Sequence, residues 1–258
     1  MSVLNAGTGQ VSDGLRCWDY CMAQGSQILT NSWGAASHVL AMDTAIAAVT
    51  NAGGLVICSA GNDGVSQDVT PQYPSGYAQT NNQVVSVAAS DTSGNLWLRS
   101  NYGVKGGVTL AAPGVQLLGL GLAGTYIKST GTSMAAPQVA GVAVLQYAHA
   151  LKAGIDLTGN AQLARLAKSA MAGSTQPFAS VGTHTIPTGI VNAVAAVEAL
   201  DIAALQTAQR QRQATATASV RVAVAIAVVA FGVGGIVVGL ATTLAFKRRE
   251  VLRTDAEA

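Results

Sequence analysis

Half of this 258-residue chain is hydrophobic and only 10% of it is charged, with a formal net charge of +2. That near-neutral balance, with arginines that do not alternate with aromatic residues, argues against nucleic-acid binding, and three cysteines are too few and odd for a disulfide framework. No Cys-x-x-Cys pair or histidine-rich cluster reads as zinc, so no metal ligand is assigned, while the apolar surplus points to a membrane segment.

The first readable helix is amphipathic, runs from Leu15 to Gln24 and carries Cys17 and Cys21 one turn apart. An oxidising compartment would permit a disulfide there, but one helical turn is awkward geometry for it, and buried free thiols are expected at both and at Cys58. A strand over Gln27–Thr30 closes in Asn31-Ser32-Trp33-Gly34, and a helix follows over Val39–Asn51. A second strand, Gly54–Ser59, closes in Ser59-Ala60-Gly61-Asn62-Asp63-Gly64, and a third spans Val84–Ala89. Short apolar runs alternating with alanine-rich helices are the pattern of an α/β layer sandwich with a largely parallel sheet.

Gly131-Thr132-Ser133-Met134-Ala135-Ala136-Pro137 then places a serine at the start of a buried helix whose Ala and Val residues continue to Leu145. The glycine allows a tight turn and a close substrate approach. Free N–H groups and the positive end of the dipole at a helix N-terminus support a developing oxyanion. Ser133 is thus a candidate nucleophile; capping of an ordinary helix is the competing reading. Asn62 stands in an Asn-Asp-Gly loop, where a turn role is the reading its neighbours give.

Toward the carboxyl end, Asp201–Ser219 is rich in Ala, Gln and Thr and reads as a stalk that continues the last domain helix. From Val222 to Phe246 there is no charge, a run long enough to cross a hydrocarbon core of about 30 Å as a helix. Lys247, Arg248 and Arg249, with Arg253 close behind, act as a stop-transfer cluster and favour a cytoplasmic carboxyl end, although Arg210, Arg212 and Arg221 on the other flank weaken the bias. Gly235 and Gly239 have the spacing of a helix-dimerisation face, with packing within an ordinary span as the commoner use. The expected organisation is a partial α/β domain over 1–200 that carries Ser133, a stalk over 201–219, a transmembrane helix over 220–246 and a short cytoplasmic tail over 247–258. The domain itself would be lumenal or extracellular.

The serine, Asn31 and Asn62 motifs, together with Ser100-Asn101-Tyr102-Gly103 and Ala111-Ala112-Pro113-Gly114, resemble the subtilisin-like serine proteases, the subtilases, as far as about Leu200. The resemblance implies a subtilisin-like three-layer α/β sandwich, in part, with Gly189-Ile190-Val191-Asn192-Ala193 opening the last helix. It implies that Ser133 forms the acyl-enzyme and that Asn62 and the Ser133 N–H make the oxyanion hole. It also implies that Ser32, Trp33, Gly34 and Ser59, Ala60, Gly61 form the walls beside a polypeptide substrate. Trp33 stands where the family carries a smaller aliphatic residue, and a core role for it is equally expected.

A subtilase orders its triad along the chain as Asp, His, Ser. His38, His149 and His184 lie outside the family's His-Gly-Thr-His setting and read as surface or helix-end residues, and Asp13 and Asp19 come too late in the order. Met1–Gly9 resembles the strand and loop that follow the family's histidine helix. The expectation is an amino-terminally incomplete subtilase, nearly inactive by itself because Ser133 lacks a base. The alternative is a catalytically inactive, membrane-tethered module that binds peptides or proteins. The family commonly holds structural calcium, but Asp63 and Asp68 form no readable ligand set.

Overall fold

The computed structural model describes residues 9–180 and 184–231. Residues 1–206 form one compact unit and 207–258 a second. In the first unit, β1 (Ile28–Asn31), β2 (Leu55–Ser59), β3 (Val84–Ser90) and β4 (Leu110–Pro113) form a fully parallel sheet in the order β1-β2-β3-β4.

The β2 sequence Leu-Val-Ile-Cys shows why two helical layers are needed. Successive side chains of a strand face opposite ways. Leu55 and Ile57 pack with Val85, Val87 and Leu110 against α3 (Thr132–Lys152) and α4 (Ala161–Gly173). Val56 and Cys58 pack on the other side with Trp18 of α1 (Val11–Ala23) and with Met42, Ile46 and Val49 of α2 (Leu40–Asn51). Leu55, Val56 and Ile57 are wholly buried, each contributing about 1.5–3 kcal/mol. The result is the expected three-layer sandwich.

Several expectations need correction. The first helix begins at Val11 rather than Leu15, running through Gly14, and Gln10 precedes it in extended conformation. All three thiols are free of disulfides, yet only Cys58 is buried, while Cys17 and Cys21 are half-buried on α1. A hairpin of β5 (Leu117–Leu120) and β6 (Tyr126–Ser129) was not anticipated, because it leaves Leu118, Leu120 and Tyr126 exposed and so lacks a buried face to read. The short α5 (Ala193–Glu198) ends before the stalk, and α6 (Ile202–Phe231) starts anew where Asp201 Oδ1 accepts from Ala204 N at 2.8 Å. The asparagine of the last-helix motif caps α5, with Asn192 Oδ1 accepting from Ala195 N at 3.1 Å.

No helix of the described residues is long and apolar enough to cross a membrane. Of the uncharged run, residues 232–246 lie outside the described residues, as do Gly235, Gly239, the 247–258 tail and nearly all of Met1–Gly9.

Lys168 of α4 is half-buried and donates to the carbonyls of Ala78 at 3.3 Å and Asn81 at 3.1 Å. Burial pushes its ammonium down to about 8 from 10.5. A pKa lower in the folded than in the unfolded chain means that the cost of burying the charge is fully present below about pH 8 and fades as pH rises to 10.5. Relative to wild type, Lys168→Met should therefore lose stability as pH is raised through that window, by up to about 3 kcal/mol. Urea midpoints of both proteins at several pH values read the change; a difference independent of pH contradicts it.

Candidate functional site

Helix α3 starts at a crowded point. Gly131, its N-cap, adopts φ +154° and donates its N–H to Gly114 O at 2.8 Å, within the Ala-Ala-Pro-Gly motif. Thr132 N, which has no partner inside the helix, donates to Asn62 Oδ1 at 2.9 Å, and Thr132 Oγ1 donates to the same oxygen at 2.9 Å. Thr132 Oγ1 in turn accepts from Gly61 N at 3.1 Å. One buried threonine therefore joins the Asn62 loop to the helix start. With Oδ1 doubly engaged, Asn62 Nδ2 must point away from Thr132, and it donates to no described group.

Pro137 makes a second connection. It has no N–H to offer the carbonyl four residues back, so Ser133 O is left without a helical donor and instead accepts from Ser32 Oγ at 2.9 Å. Ser133 Oγ lies 3.4 Å from Ser32 O. The two serines, from the end of β1 and the start of α3, thus face each other across a reciprocal pair.

Around them opens a cleft of about 600 Å³ lined by Ser32, Trp33, Gly34, Ser59, Gly61, Asn62 and Ser133 among others. These were expected as site residues; Ala60 is wholly buried behind the wall and does not line it. Trp33 faces both ways. It lines the cleft while its ring packs 5.8 Å from Trp18 and covers Gly14.

The loop between β2 and the cleft is held by residues whose importance was not read from sequence. Buried Asn101 accepts from Asp63 N at 3.0 Å and Val65 N at 3.1 Å and donates to Ala60 O at 2.9 Å. Buried Gln67 donates to Ala60 O and accepts from Gln72 N at 2.7 Å. Gly61 adopts φ +108°, and a side chain there would collide with Asn101 and Gln72. Burial pushes the neighbouring Cys58 thiol far up, leaving it a protonated packing group.

None of the three histidines lines the cleft. His38 is exposed, 2.8 Å from Asp43 Oδ1. His149 lies exposed in the last turn of α3, as a helix-end residue. His184 is half-buried instead of on the open surface, stacked on Tyr102 at 4.2 Å. Among the described residues, no imidazole reaches Ser133. For calcium the carboxylates do not fit. Asp68 spends both oxygens on the N–H groups of Val104, Lys105 and Gly107, Asp63 is bound to Gln72, and among the described residues no three ligating side chains cluster.

The arrangement can place a carbonyl oxygen between the Asn62 amide and the Ser133 N–H. The subtilase family model matches residues 1–228. M-protease of Shouchella clausii is 34% identical over 146 residues, 56% of this chain and 36% of that protein. Thermitase of Thermoactinomyces vulgaris is 30% identical over 197 residues, 75% of this chain and 62% of that protein. Among solved structures, the prenylagaramide maturation protease PagA superimposes with a TM-score of 0.65 at 25% identity, covering 78% of this chain and 71% of that one. A protease of Pseudoalteromonas arctica superimposes with a TM-score of 0.64 at 27% identity, covering 78% and 62%. The chain thus spans less than two thirds of either sequence relative's length.

A Cβ at Gly14 would stand 2.6 Å from Trp33 Cζ2 and 2.8 Å from Cη2. Helix propensity favours alanine over glycine by about 1 kcal/mol, but overpacking against a ring wedged between two elements costs about 1–3 kcal/mol. Gly14→Ala should lower the thermal midpoint; a rise contradicts this packing.

Proposed function

Because the chain belongs to the subtilase family, we propose that it is the nucleophile-bearing part of a serine endopeptidase. Ser133 Oγ attacks the carbonyl carbon of a peptide bond, and the oxyanion that forms is met by Asn62 Nδ2 and the Ser133 N–H. Ser32, Trp33, Gly34, Ser59 and Gly61 flank the acyl-side residue, with Ala60 buried behind them. The single observation that carries this reading is the pair of hydrogen bonds donated by Thr132 N and Oγ1 to Asn62 Oδ1, which turns the other end of the amide outward beside the serine. A neutral donor fixed in advance stabilises developing charge without reorganising.

The base that takes the Ser133 proton, and the carboxylate that orients it, come in this reading from polypeptide other than the described residues. The uncharged run of Val222–Phe246 and the basic Lys247, Arg248 and Arg249 support a single-pass anchor, with the protease part outside or in a lumen and the carboxyl end cytoplasmic. A second reading, a peptide-binding module without turnover, is favoured by the lack of an imidazole in the cleft among its described lining residues.

A fluorophosphonate probe separates the two. The native, membrane-extracted protein should label and its Ser133→Ala variant should not. Asn62→Ala should cut the turnover of that protein by about 10²–10³-fold, the loss known for the equivalent change in subtilisin itself. Silence of the native protein toward the probe favours the binding module.

A further inference from the structure

A side chain reaches into the cleft between its walls. Gln72, which lines it, extends its carboxamide between the two walls: Gln72 Oε1 is 3.8 Å from where a Cβ would stand at Gly34 and blocks one at Gly61. Gln72 Nε2 donates to Asp63 Oδ2 at 2.5 Å. An ionised carboxylate only accepts, so this bond fixes the amide's orientation and leaves Oε1 as an acceptor inside the cleft. Asp63 is exposed, and among the described lining residues there is no lysine, arginine or histidine to neutralise it.

Resting on the reading of the cleft as a protease site, we propose that the Gln72–Asp63 pair sets the residue accepted on the acyl side of the scissile bond, selecting lysine or arginine. A slim aliphatic stem fits between the glycine-bearing walls and carries its donors to Gln72 Oε1 and the Asp63 carboxylate. A large aromatic ring would have to expel the Gln72 side chain and break its bond to Asp63. Neither feature follows from the walls alone, which two glycines make wide.

The test uses the 258-residue chain and acetylated tetrapeptide acids ending in lysine, phenylalanine or alanine, with binding followed by tryptophan fluorescence and calorimetry. The lysine peptide should bind about fivefold more tightly than the phenylalanine peptide, as expected for one partly exposed charge pair. Asp63→Asn, which keeps the side-chain shape, should abolish that preference, and Gln72→Ala should raise affinity for the phenylalanine peptide. Gln72 N keeps its bond to Gln67 in that variant; should it nevertheless fail to fold, Asp63→Asn still decides. Equal or better binding of phenylalanine by the wild type, with all peptides still weakened by Asn62→Ala, overturns the pocket assignment and leaves the protease reading intact. Absence of binding by any peptide overturns both.

Discussion

The first turn of a helix has N–H groups that the helix cannot satisfy, and the cleft of this protein is organised around how those of α3 are used. Thr132 commits its N–H and hydroxyl to Asn62 Oδ1. The next residue, Ser133, lines the cleft. Pro137 extends the same logic to the carbonyl side, because its missing N–H releases Ser133 O to accept from Ser32 Oγ. Without that release, the Ser32 hydroxyl would lose its acceptor, and only the longer contact of Ser133 Oγ with Ser32 O at 3.4 Å would join the end of β1 to the helix start.

The geometry separates a rigid frame from an adjustable end. Asn101 and Gln67, both buried, hold Ala60 O and the 61–65 turn in place. The donors near Ser133 are thus neutral and preset. Among the described lining residues the only carboxylate is that of Asp63, paired with Gln72, so in the proposed reading its charge selects what binds while the donors stay neutral. This is the division expected where transition-state contacts and substrate recognition are handled by different side chains.

Much of this was legible in the sequence. The short apolar runs alternating with alanine-rich helices announced a layered α/β sandwich with a parallel sheet, and Ser133 and Asn62 stood in recognisable turns. What escaped has physical reasons. Gly14 made the start of α1 look non-helical, yet glycine is there to admit the Trp33 ring. The β5–β6 hairpin exposes its apolar side chains and carries no one-sided pattern. Gln72 belongs to no motif, and its partner Asp63 is nine residues away across a turn. The Ser32–Ser133 pair joins residues 101 apart, a closeness that only tertiary structure creates.

The central claim, that Asn62 Nδ2 and the Ser133 N–H form one preset donor pair, is tested most directly by amide NMR of the labelled chain during titration with a peptide acid. The account predicts that the Asn62 side-chain amide and the Ser133 backbone amide shift together along one binding curve, and that Thr132→Val uncouples them. Movement of either signal without the other in the wild type contradicts it.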